Sequence, residues 1–147
     1  MNFHHFLLNK ETDFKGRFLS DIWEYSDNNI ESQHNFIQLL FPLNKPSRAV
    51  LHGYYLNEKN LIDQIRNDQS AKENLMKSKD WFVGFLSRNN QWKNYSDHNQ
   101  LRITRVIECL RLLVSEKEAD LFYKKIITML GSDYKVNKKT LEFWSNA

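Results

Sequence analysis

The stretch NNIESQHNFIQLLFP, Asn28 to Pro42, constrains this chain most. It carries a helix start, a helix stop and helical periodicity between them. Asp27 or Asn28 can cap it, and Glu31, three residues after Asn28, completes a capping-box pattern. Pro42 ends it, because proline lacks the amide donor and pushes the residue before it out of the helical region. At about 100° per residue, Ile30, Phe36, Ile37, Leu39, Leu40 and Phe41 fall into one broad apolar arc. Glu31, His34 and Gln38 then line one edge of that arc. A carboxylate, an imidazole and an amide beside a core make either a buried hydrogen-bond network or a binding site.

Composition sets the frame for that helix. A chain of 147 residues, 41% hydrophobic and 27% charged, is long and apolar enough for one globular domain, expected to span 1–147. Four glycines and two prolines are too few for a turn-rich all-β sandwich. A net charge of +3 is too weak for a dedicated nucleic-acid module, so no specific nucleic-acid partner is expected. The single cysteine, Cys109, excludes an internal disulfide and a cysteine-based zinc site, and it suits a cytoplasmic location. No apolar run is long enough for a transmembrane segment. The start, MNFHHFLLNKETD, has neither the basic beginning nor the apolar length of a secretion signal.

The remaining elements read as helices. Phe3 to Leu8 is a short helix or an extended arm. Thr12 to Arg17 is a turn, and Phe18 to Tyr25 a short helix. Asn57 caps a helix to about Asn67, and Ser70 caps one to about Arg88, with Gly84 inside it. Asn89 to Asp97 is a polar linker whose Trp92 and Tyr95 are expected to fix it to the body. Asp97 or Ser96 caps a helix to Leu113. Ser115 with Glu118 forms a capping box for the next, which should bury Ala119, Phe122, Ile126, Ile127, Met129 and Leu130 and close at Gly131. Asn137 starts a last short helix with Leu141, Phe143 and Trp144. The expected fold is all-α, an irregular single-domain bundle of about six or seven helices.

Two blocks carry a resemblance to a known family. GRFLSDIWEYSDNNIESQHNFIQLLFPLNKPS, Gly16 to Ser47, resembles the conserved region of the opioid growth factor receptor family, which has a GR…W…D…E..H..IQ.LFP…PS pattern. DHNQLRITRVIECLRLL, Asp97 to Leu113, is similar to the family's HN..RITR segment and the apolar helix after it. Leu39 departs from the pattern, since relatives often carry tryptophan there. The resemblance implies a soluble binding module with a peptide or protein partner, and a short enkephalin-like peptide as its ligand. It implies no relation to the seven-helix opioid receptors.

The chemistry available is narrow. There is no G-x-S-x-G elbow and no P-loop, and Cys109 sits in an apolar helix as a small core residue. Glu31 and His34 have the Glu-x-x-His spacing of di-iron carboxylate bundles, but no second copy exists. His98 or His52 can complete a mixed metal site, though no spacing requires it, and no metal or cofactor is expected. Arg102 falls inside the apolar arc of its own helix and Arg105 at the arc's edge, while Arg17 is the matching family position in the first block. With His34, Gln38, His98 and Asn99, these arginines can form a site for a carboxylate, which guanidinium binds in a fixed fork. Alternatively they pair within the chain with Glu31, Asp21, Asp27 or Glu108. A buried Arg102 demands a carboxylate partner, Glu31 first and Asp27 or Asp21 next.

Two functions follow. One is the binding module, with Arg17, Glu31, His34, Gln38, His98, Asn99, Arg102 and Arg105 as ligand-binding residues. The other is a small metal-assisted or acid–base hydrolase centred on Glu31, His34 and His98. The second lacks a nucleophile in the sequence, so an enzyme is the less favoured reading.

Overall fold

Local capping sets most of the element boundaries in the computed structural model, which describes residues Met1–Ala147. Nine α-helices form, with one 3-10 turn and no strand. They are α1 (Phe3–Leu7), α2 (Leu19–Trp23), α3 (Asp27–Ser32), α4 (Ile37–Leu40), α5 (Lys59–Arg66), α6 (Gln69–Ser87), α7 (His98–Leu113), α8 (Glu116–Leu130) and α9 (Lys138–Asn146). The 3-10 turn, Gln91–Lys93, lies between α6 and α7. The chain divides into two compact units, Met1–Trp81 and Phe82–Ala147, and the boundary falls within α6.

Three caps stand as their sequence signals imply. Asp97 Oδ2 accepts the Asn99 amide at 3.0 Å, Ser115 Oγ the Glu118 amide at 3.1 Å, and Asn137 Oδ1 the Thr140 amide at 2.9 Å. Each satisfies a backbone donor that a helix start leaves unpaired. Gly131 ends α8 with φ +66°, a conformation that costs glycine nothing. Elsewhere the cap moves by a residue or two. Ser26 caps α3, and Asp68, not Ser70, caps α6 through the Ser70 and Ala71 amides.

The helix expected over Asn28–Phe41 is broken. α3 ends at Ser32, Gln33 is extended at φ −91° and ψ 137°, and the helix resumes only at Ile37. Within the break Arg17 Nη2 donates to the Asn35 carbonyl at 2.9 Å, so that carbonyl is satisfied without a helical turn around it. This break, together with α1, raises the helix count above the expected six or seven.

In the first unit the buried side chains include Phe6 and Leu7 of α1, Ile22 of α2, Ile30 of α3, Leu39 and Leu40 of α4, and Ile62 and Ile65 of α5. Asn74 Nδ2 donates to the Leu7 carbonyl at 2.8 Å, which fixes the end of α1. In the second unit α7 packs against α8, α9 and the 3-10 turn. Its buried face runs Ile103, Val106, Ile107, Leu110, Leu113, and meets Ala119, Phe122 and Ile126 of α8. Two expected core residues are not core: Ile127 is 38% exposed and Met129 only half-buried. On α9 Phe143 is 51% exposed, with the Lys139 ammonium over its ring. Of the two linker aromatics, Trp92 is buried and donates to the Leu86 carbonyl at 3.0 Å, whereas Tyr95 is 69% exposed.

Candidate functional site

In the first unit the turn before α2 builds a polar node around Arg17. Gly16, at φ +76°, lets the chain reverse so that the Asp13 amide reaches the Arg17 carbonyl at 2.8 Å. The Asp13 side chain, fully buried, accepts the Lys15 and Arg17 amides through Oδ1 and the Arg17 guanidinium through Oδ2. Arg17 Nη1 donates to Tyr25 Oη and Asn35 Oδ1, both at 3.0 Å, and Nη2 to the Asn35 carbonyl. A guanidinium has five N–H donors, and these contacts with Asp13 engage all of them. Arg17 thus ties the turn, α2 and the α3–α4 connection together.

Glu31, His34 and Gln38 do not form the continuous stripe that one helix would give. Glu31 is half-buried on α3, His34 is exposed in the α3–α4 connection, and Gln38 lies on α4. With Gln33 extended, the Glu-x-x-His pair lacks the helical register that a di-iron ligand pair requires. Gln38 has a distinctive environment: its Oε1 is buried and has no hydrogen-bond partner.

In the second unit the first turns of α7 bury polar side chains. Asn99 is 0% exposed, Gln100 5% and Arg102 7%. Arg102 Nη1 donates to Asn99 Oδ1 at 3.1 Å. Half-buried His98 places Nδ1 at 3.8 Å from Asp97 Oδ1. Burial pushes the Arg105 guanidinium below its ordinary pKa, with Glu108 beside it working the other way. Burial also pushes the Cys109 thiol far above its ordinary value, which keeps it protonated.

Sequence reasoning misses Gln100, which joins α7 to the 3-10 turn region and to α9. Its Nε2 donates to the Trp92 and Asn94 carbonyls at 3.0 and 2.8 Å, and its own carbonyl accepts Trp144 Nε1 at 3.1 Å. A signal existed: Gln100 stands three residues before Ile103 and seven before Ile107, on the apolar face of α7. The Asp13–Tyr25–Asn35 partners of Arg17 have no such signal.

Comparison with protein-family models, with curated proteins and with solved structures finds no match. The opioid growth factor receptor resemblance therefore rests on the two sequence blocks alone. No helix is long and apolar enough to cross a membrane.

Proposed function

We propose that the chain is a binding module of the kind the opioid growth factor receptor resemblance implies, and that its ligand is a short peptide. Gln38, one of the expected ligand residues, carries this reading. Its Oε1 is buried without a donor, and an unsatisfied buried acceptor costs about 1–3 kcal/mol. Gln38 itself is half-buried, so a turn of its side chain lets a ligand N–H group meet Oε1 and offset that cost. A peptide backbone brings such donors, and a simple carboxylate brings none. Arg17 adds nothing to carboxylate capture, since its donors are engaged within the fold. The test is titration calorimetry with the pentapeptide Tyr-Gly-Gly-Phe-Met. Saturable heat that Gln38→Met removes supports the reading. Absence of heat at millimolar peptide, or heat unchanged in Gln38→Met, rejects it.

A further inference from the structure

We infer that the cleft between the start of α1 and the start of α5 is a saccharide-binding site. The cleft measures about 450 Å³ and lies wholly within the first unit. That volume is in the range of small-molecule sites, about 300–1,000 Å³. Tyr54, Tyr55, Asn57, Glu58, Asn60 and Gln64 line it. Their phenol, amide and carboxylate groups make no hydrogen bond or ion pair within the chain. Glu58 is the N-cap residue of α5, yet its carboxylate does not cap the helix. The polar groups of this wall are therefore uncommitted.

Their chemistry selects the ligand class. Glu58 is the one charged side chain in the lining, and no lysine, arginine or histidine faces it. An anion finds no cationic side chain there. A calcium ion takes about six to eight oxygen ligands, and one carboxylate is a poor start toward that number. An apolar ligand strips water from amides and phenols and returns no hydrogen bond. A neutral sugar suits all of these groups. Each hydroxyl donates and accepts, as do the side-chain amides, while a carboxylate accepts from two neighbouring hydroxyls. Tyrosine adds a flat apolar face beside a polar tip. A peptide needs pockets for its side chains as well, and here Met1, Phe3 and Leu61 share the lining with the amides, the carboxylate and the two phenols. The α1 wall is held in place by the His4–Asp68 contact at 2.8 Å and the Asn74–Leu7 bond.

The experiment is an ¹H–¹⁵N NMR titration of the full chain with cellobiose, maltose and N,N′-diacetylchitobiose at millimolar concentration, with spermidine and the peptide Tyr-Gly-Gly-Phe-Met as separate arms. Saturable shifts in the Tyr54–Gln64 amides with at least one disaccharide are expected. Tyr55→Ala and Asn60→Ala, each checked for unchanged helicity by circular dichroism, should weaken that disaccharide about tenfold. The inference is overturned if none of the three sugars shifts these amides. It is equally overturned if the variants bind like the parent, or if the shifts appear only with spermidine, which marks a cation site. Shifts produced only by Tyr-Gly-Gly-Phe-Met assign the cleft to a peptide instead.

Discussion

Arg17 and Asp13 form a two-contact pair in which Nε and Nη2 both approach Asp13 Oδ2 at 2.7 Å. The carboxylate is fully buried, and the guanidinium side chain is 12% exposed. The opposite edge of the same guanidinium holds Tyr25 and Asn35. One side chain therefore fixes the turn before α2 and also holds the α3–α4 connection at Asn35.

Removing Asp13 alone should be severe. Asp13→Ala leaves a buried guanidinium without its counter-charge, for a loss of about 3–5 kcal/mol. Arg17→Leu should cost a similar amount by stranding the carboxylate. The double variant should cost less than the sum, because neither charge remains to be compensated. Urea melts of the three variants measure this. Single variants that melt like the parent would show that the node is dispensable.

Cys109 should be inert in the folded chain. It is 0% exposed, and its raised pKa leaves almost no thiolate at neutral pH. A thiol reagent such as Ellman's should modify it rapidly in denaturant and only at the rate of opening under native conditions. Immediate stoichiometric labelling of the native protein would contradict its burial.

Asp68 gives a pH dependence with a definite sign. The hydrogen bond from His4 lowers its pKa below the usual carboxylate value, with the Ala71 amide acting the same way. A lowered folded-state pKa means the contribution is present above the unfolded value and is lost as pH falls through the folded one. Asp68→Asn keeps a capping side chain but cannot ionise. The stability gap between parent and variant should therefore close as pH falls below about 4. A gap that widens over that acid range would reverse the assignment. The Asp68 side chain is 26% exposed, so the gap should be small.

Much of the helical frame was legible because its signals are local. Asp97, Ser115 and Asn137 each bond an amide two or three residues away, so the sequence neighbourhood contains the whole interaction. Arg102 was legible as a buried residue from its place among apolar neighbours on α7. The break in Asn28–Phe41 was not, because the non-helical connection is held by a distant group: Arg17, 18 residues before Asn35, satisfies the Asn35 carbonyl. Periodicity also overstated the core. Ile127 was expected in the core face of α8, yet it is 38% exposed. The α1–α5 cleft was invisible for a different reason. Asn57, Glu58, Asn60 and Gln64 read as an ordinary solvated helix face, and only the fold sets the start of α1 beside them.

Gln100 gives the last prediction, and it separates a tethering role from a mere filling of space. Its amide nitrogen holds the carbonyls of Trp92 and Asn94, so it anchors the chain entering α7. Its backbone carbonyl accepts the Trp144 indole, and its Oε1 meets Thr140 Oγ1 at 3.4 Å, so α9 rests on the same residue. Gln100→Leu has nearly the right volume for this 5%-exposed position but leaves both carbonyls without their donor. Unsatisfied buried carbonyls cost about 1–3 kcal/mol each, so the variant should melt earlier despite its greater hydrophobicity. Gln100→Glu should fare no better, because an ionised carboxylate is acceptor-only and faces two carbonyl oxygens. Hydrogen exchange should localise the damage to the Gln91–Asn94 turn and α9, while α8 stays protected. If Gln100→Leu is as stable as the parent, the two carbonyls find other donors and the tether is redundant.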